Sequence, residues 1–152
     1  MDKIVIIGTE PPCPRCGLLT NTIKAKIKEL KMEAEVTHLS YEDEEAVEMA
    51  AALKMKPGTA KDVAKQLNLE MDMQRLAEIL KEKTSADTSE YNQWNDCNWS
   101  PELDDFLRPY QERAKEAGIL MTPVLIINNK IMHQGSLPPL KQVEEWLLER
   151  KG

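Results

Sequence analysis

Apolar, β-branched residues run unbroken from Ile4 to Ile7 and stop at Gly8, the pattern of a short strand buried on both faces. After the loop Thr9-Glu10-Pro11-Pro12 the period changes. Leu19, Ile23, Ile27 and Leu30 form one helical stripe within Pro14 to Leu30, with Lys24, Lys26, Lys28 and Lys31 on the wet side. Glu35-Val36-Thr37-His38-Leu39 then alternates at period two and predicts a second strand. Strand, helix, strand in the first forty residues predicts a right-handed parallel crossover. The C-terminal end is equally ordered. Val124 to Ile127 predicts a strand, Asn128-Asn129 a two-residue turn tolerant of positive φ, and Lys130 to Gln134 the returning strand. Gly135-Ser136 breaks it, and Pro138-Pro139 leads into a helix striped by Leu140, Val143, Trp146 and Leu147.

Between these ends, residues 41–118 carry no convincing strand. Glu42 to Lys54 predicts an acidic-fronted helix with Ala46, Val47, Ala50 and Leu53 inward, ended by Pro57-Gly58. Thr59 with Asp62 three residues on resembles a capping box opening a helix through Leu67. Met73, Leu76, Ala77 and Leu80 predict another helix. A polar loop over 84–99 holds Tyr91, Trp94 and Trp99. Ser100-Pro101 then starts a strong helix with Leu103, Phe106, Leu107, Tyr110, Ala114 and Ala117 on one face, closed by Gly118.

Length and charge narrow the classes. A chain of 152 residues is one domain, or one domain with a sizeable insertion, and 41% apolar against 30% charged residues suffices for a core. The net charge of −6 argues against a general binder of phosphate backbones. It is unevenly placed: residues 41–118 hold 18 acidic and 10 basic side chains, while the two ends together are +2. Thr59 to Leu69 superficially resembles half of a helix-turn-helix, but Gln74 stands where a hydrophobic residue belongs and Glu70 and Asp72 begin the would-be reading helix, so nucleic acid is not an expected partner. No apolar run approaches the roughly 18–20 residues of a membrane span, and the N-terminal stretch is too short for a signal peptide. The expectation is a soluble, cytoplasmic protein. Three cysteines do not make a secreted disulfide framework, and two of them sit as Cys13-Pro14-Arg15-Cys16.

That spacing at a helix N-terminus lets two sulfurs meet at about 2.05 Å. The helix start supplies free N–H groups and the positive end of a dipole, both of which stabilise a thiolate. Pro14 suits the first helical position, and Arg15 adds a fixed positive charge. Cys13 is the expected nucleophile, its pKa lowered into the range of about 3.5–7.5, and Cys16 the residue that resolves the mixed disulfide. The same pair can be half of a metal site. Structural zinc needs four ligands, and Cys97, His38 and His133 are scattered; a thiophilic metal needs fewer, so a metallochaperone remains the alternative. Pro123 in Met121-Thr122-Pro123-Val124 opens an apolar strand, either as a plain trans starter or as a cis proline where backbone approaches a ligand; beside the dithiol the cis reading is preferred.

Together these residues resemble the thioredoxin superfamily. Gly8-Thr9, Cys13-Pro14-Arg15-Cys16, Thr122-Pro123 with Val124-Leu125-Ile126-Ile127-Asn128-Asn129-Lys130, Gly135 and Pro138 are similar to the small glutaredoxin-like redox-active disulfide proteins of bacteria and archaea. The resemblance covers about residues 1–40 and 119–152. It implies an α/β, thioredoxin-like fold, βαβ then ββα around a mixed sheet. Residues 1–40 and 119–152 would form that domain, and 41–118 an all-helical insertion that includes the fold's second helix. The place of this insertion is similar to that in the periplasmic disulfide-oxidase family. The resemblance further implies a thiol–disulfide oxidoreductase with Cys13 as nucleophile, Cys16 as resolver, Pro123 as the cis proline facing them, and Thr122 offering backbone hydrogen bonds to an extended substrate. Pro12 stands where thioredoxins proper place a tryptophan. The strand Ile4–Ile7 carries no acid, and Glu10 in the loop is the nearest candidate for a proton shuttle.

Site residues expected from the sequence are therefore Cys13 and Cys16, with Pro14, Arg15, Thr122 and Pro123 shaping the site or binding substrate. No metal ligand set and no cofactor are expected. The expected partners are a protein or small-molecule disulfide and an electron donor, with no membrane. Cys97 reads as an ordinary loop thiol, a regulatory thiol or a third metal ligand. His38 and His133 read as strand-edge residues, and Trp94 and Trp99 as cover for the insertion or the floor of a substrate groove. Met49, Met55, Met71, Met73 and Met121 read as core filling.

Overall fold

The computed structural model describes residues 1–10, 12–81, 90–95 and 99–151; Cys97 lies outside the described residues. Strand β1 (Asp2–Gly8) leads through the Cys13 loop into helix α1 (Pro14–Glu29), and the chain returns as β2 (Ala34–Ser40). β1 and β2 are parallel, with Ile4 opposite Val36 and Gly8 opposite Ser40. At the other end β5 (Val124–Ile127) lies antiparallel to β1, and β6 (Lys130–Gln134) antiparallel to β5, so the mixed sheet runs β2-β1-β5-β6. Asn128 and Asn129 make the turn at φ 48° and 67°, the positive values a two-residue hairpin requires.

The central strands are apolar from Ile4 to Ile7 and from Val124 to Ile127 because both faces are covered there. Ile4, Ile6, Leu125 and Ile127 pack under Leu19, Ile23 and Ile27 of α1 and Val143 and Leu147 of helix α6 (Leu140–Lys151). Ile7, Val124 and Ile126 face the other way, under Ala46 and Ala50 of helix α2 (Glu44–Ala51) and Leu120. Each Ile, Leu or Val side chain so removed from water contributes about 1.5–3 kcal/mol.

The intervening segment is mainly helical and has its own core. Helices α3 (Ala60–Leu67), α4 (Met73–Lys81) and α5 (Pro101–Arg113) bury Val63, Leu76, Ile79, Leu103 and Leu107 around Leu18, which α1 contributes from the thioredoxin-like half. The capping box is present: the Asp62 N–H donates to Thr59 Oγ1 at 3.4 Å, and the Thr59 N–H donates to Asp62 Oδ2 at 2.8 Å. Trp99 is packed in this core, edge-on to Tyr91. Trp94 packs against the same core, with the Lys26 ammonium 5.3 Å from its ring centre.

Several expectations are corrected. Residues 41–118 are not wholly helical, since β3 (Lys56–Gly58) pairs in parallel with β4 (Ile119–Met121). The Lys-Pro-Gly sequence has no strand pattern. It is tolerated because β3 has one partner only, so the missing N–H of Pro57 lies on an open edge. Val47 and Leu53, expected inward, are exposed: α2 meets the sheet through Ala46, Ala50 and the partly buried Met49, which turns Val47 outward, and it ends before Leu53. Helix α4 is turned so that Leu76 and Ile79 are buried, while Met73, Ala77 and Leu80 stay exposed. Among the described residues no helix is long and apolar enough to cross a membrane.

Candidate active site

Cys13 is the N-cap of α1, and Pro14 is its first helical residue. Proline is at home there because the first-turn N–H it lacks has no partner within the helix. The Cys16 N–H points back to Cys13 Sγ at 3.4 Å, and the two sulfurs are 2.8 Å apart as free thiols. The pair is asymmetric. Cys13 is partly exposed, and its thiol is held down at about 6 by the hydrogen bond from Cys16 and, after burial has pushed it up, by the charge of Arg15 and the Cys16 and Arg15 amides. Cys16 is fully buried, and Cys13, burial and the neighbouring charge push its thiol well up. One sulfur is a thiolate at neutral pH, and the other keeps its proton.

The close fit behind Cys16 depends on Gly8. A Cβ at that position would lie 2.5 Å from Cys16 Sγ and 2.7 Å from Cys16 Cβ, so the strand end must be bare for the helix to approach.

Arg15 is not a solvent-facing charge. Its side chain is 4% exposed and reaches Asp104 Oδ1 of α5 at 3.2 Å. It also donates to Thr122 O at 3.0 Å and to Gly135 O. Gly135 sits at φ 86°, where a side chain would meet Gln111 Cγ at 2.6 Å. Asp104 uses its second oxygen on the Leu137 N–H at 3.1 Å. Burial pushes the Asp104 carboxyl up, and the guanidinium draws it the other way. The motif is thus tied to the intervening helices and to the C-terminal half through one buried ion pair.

The Thr122–Pro123 peptide is cis. Around it the backbone is fully engaged. The Met121 N–H donates to Gln134 Oε1 at 3.0 Å, the Thr122 N–H to Gly58 O at 2.8 Å, and the Gly135 N–H to Pro123 O at 3.0 Å. Thr122 O accepts from Arg15. In this structure the Thr122 N–H is bonded to β3, and its carbonyl accepts from Arg15 and keeps a second lone pair.

Thr122, Cys13, Pro14 and Arg15 line one cavity of about 220 Å³. Its opposite wall comes from the intervening segment: Met71, Leu76, Leu80, Leu103 and Leu107, with Thr59, Ala60 and Lys61 at one side. The exposed Leu80 thus lines the same cavity as Cys13. Trp94 and Trp99 are not among its lining residues. Glu10 is exposed, with its carboxylate 3.9 Å from His38 Nε2. Among the described residues no group of three or more His, Cys, Asp or Glu side chains gathers as a metal site. His133 instead hydrogen-bonds Ser136 Oγ at 2.8 Å.

Two residues escaped the sequence reading. Asp104 was hidden in a charged helix, although it borders the stripe of Leu103 and Leu107, an odd place for a carboxylate without a partner. His38 does lie on the edge strand β2, but the packing of its ring against Gly8 has no signal in the sequence.

A mixed sheet carrying a dithiol at the tip of its first helix, with a cis proline just before the neighbouring strand β5, is the architecture of a dithiol-bearing thioredoxin fold. The model of the family described as thioredoxin matches residues 2–147, and the chain belongs to that family. The match includes the intervening helices as well as the two ends. Comparison with curated proteins and with solved structures gave no match.

Proposed function

We propose that the chain is a thiol–disulfide oxidoreductase with Cys13 as nucleophile and Cys16 as resolving thiol. The observation that carries this reading is the asymmetry of the pair: two sulfurs 2.8 Å apart, one held as thiolate at the helix tip and one buried and protonated. Cys13 thiolate attacks one sulfur of the substrate disulfide, and the other leaves as a thiolate. Cys16 then attacks Cys13 Sγ, the Cys13–substrate bond breaks, and the pair is left oxidised while the substrate has taken two electrons. The reverse sequence oxidises a dithiol, and the reduction potential of the pair sets the direction.

The apolar wall of Met71, Leu76, Leu80, Leu103 and Leu107 beside Cys13 favours a disulfide flanked by apolar groups, in a protein or a small molecule. The test is a dithiothreitol-coupled disulfide reduction assay. Cys13→Ser should abolish turnover, and Cys16→Ser should trap a mixed disulfide visible as a mass increase. Turnover by Cys13→Ser would refute the assignment.

A further inference from the structure

The cavity that Cys13 lines is walled on the side of the intervening helices by Leu76, Leu80, Leu103 and Leu107. Its volume of about 220 Å³ is below the roughly 300–1,000 Å³ of sites for drug-sized ligands, which leaves room for one narrow arm. Charge there runs against the trend of the chain. Residues 41–118 hold 18 acidic and 10 basic side chains, yet among the described residues no Asp or Glu lines the cavity. Its charged lining residues are both cations, Arg15 and Lys61. Arg15 is engaged by Asp104 and by the carbonyls of Thr122 and Gly135. Lys61 is exposed in the first turn of α3, and the acid beside it in the chain is already occupied: Asp62 Oδ2 accepts from the Thr59 N–H at 2.8 Å and from Thr59 Oγ1 at 3.0 Å. An anion that approaches Cys13 meets a second anion, since that thiol is ionised at neutral pH. A cation on the cavity wall offsets the repulsion.

We propose that the substrate is a small disulfide with an unbranched aliphatic arm ending in an anion, the arm seated against the leucines and the anion at Lys61. The inference rests on the dithiol reading above and names its substrate class. The leucine wall withdraws the arm from water, a gain of about fourfold per buried methylene. Lys61 is exposed, so its pairing with the anion adds only about two- to fivefold, screened by salt. A polar anionic disulfide gains from Lys61 alone, and a neutral aliphatic one from the wall alone. Cys13 thiolate attacks the sulfur of the seated arm, and the substrate S–S bond breaks with its electron pair on the other arm, which leaves as thiolate. Cys16 then attacks Cys13 Sγ, and the seated arm leaves with the electron pair of the Cys13–substrate bond. One released arm carries away the Cys16 proton, and the dithiol has given two electrons to the substrate.

The test uses the reduced full-length chain in single turnover with 6,6′-dithiodihexanoate, its neutral diamide and the shorter 3,3′-dithiodipropionate. Each rate is normalised to that of the same disulfide with free dithiothreitol. At low salt the hexanoate should react about two- to fivefold faster than its diamide. It should react at least about tenfold faster than the propionate, which has three fewer methylenes in each arm. In Lys61→Gln the ratio of hexanoate to diamide should fall to about one, and in Lys61→Glu below one. Salt at about 0.5 M should bring the wild-type ratio towards one as well. Equal rates for hexanoate and diamide in the wild type overturn the proposal, and a retained gain with arm length would then assign the cavity to an uncharged group. A ratio unaltered by Lys61→Gln overturns it, as does the absence of any gain with arm length. Exchange with 2-hydroxyethyl disulfide but with none of the three probes overturns it too. Failure with 2-hydroxyethyl disulfide as well would instead overturn the dithiol reading.

Discussion

Replacing Asp104 by alanine leaves the Arg15 guanidinium buried without its anion. The pair lies at 4% and 8% side-chain exposure, and Asp104 also accepts the Leu137 N–H, so one substitution removes the anion beside the guanidinium and the acceptor of that N–H. Removing one member of a buried pair costs about 3–5 kcal/mol. For a chain of this size that is about 10 °C in Tm, and a large part of the roughly 5–15 kcal/mol that holds a domain together. Urea denaturation of the reduced protein reads it directly. The complementary variant Arg15→Met gives a sharper contrast, because the charge it strands can be neutralised. Without Arg15 the Asp104 carboxyl is pushed further up, so the folded state takes up a proton more readily than the unfolded state. Its stability deficit should therefore shrink as pH falls from 8 towards 5. Arginine does not shed its proton in this range, and Asp104→Ala removes the carboxyl that burial pushes up, so its deficit should not shrink as pH falls. The thiol reports separately: Arg15→Met should raise the Cys13 pKa towards its ordinary value, whereas Asp104→Ala should not raise it. A loss below about 1 kcal/mol in Asp104→Ala, or deficits with the same pH dependence in both variants, would refute this account of a buried pair linking motif and helices.

Two further outcomes follow from the geometry. Iodoacetamide should alkylate Cys13 of the reduced protein with a midpoint near pH 6, and a midpoint at or above pH 8.5 would contradict the helix-tip thiolate. Because that thiolate is favoured in the folded state, the reduced protein should also gain stability as pH rises from about 6 towards 9, and lose this gain as pH falls back through 6. Gly8→Ala places a Cβ inside contact distance of Cys16 and should cost about 1–3 kcal/mol by overpacking, together with slower disulfide exchange; wild-type stability and rates would refute the close approach.

What could be read without coordinates was whatever neighbours in the chain decide among themselves. The Thr59–Asp62 capping box and the helix it opens, the Asn128–Asn129 turn, and proline after an N-cap cysteine all depend on residues within a few positions. The doubly buried strands Ile4–Ile7 and Val124–Ile127 were equally plain, since burial on both faces leaves no polar position to mask the run. The β3–β4 ladder was not legible, because three residues around Pro57 acquire strand geometry only from a partner sixty positions away. Nor was the inward face of α4, which the packing of α5 and Leu18 selects between two nearly equivalent apolar stripes. In the site, the sequence by itself determined the helix-tip dithiol and therefore which thiol is activated, because the cap, the proline and the dipole are local. Only the tertiary structure decided that Arg15 serves a carboxylate 89 positions away, that the Thr122 N–H is bonded to β3, and that Cys16 and the His38 ring both crowd the bare Gly8. These contacts join segments distant in the chain, and no periodicity or spacing encodes which buried polar group will find which partner.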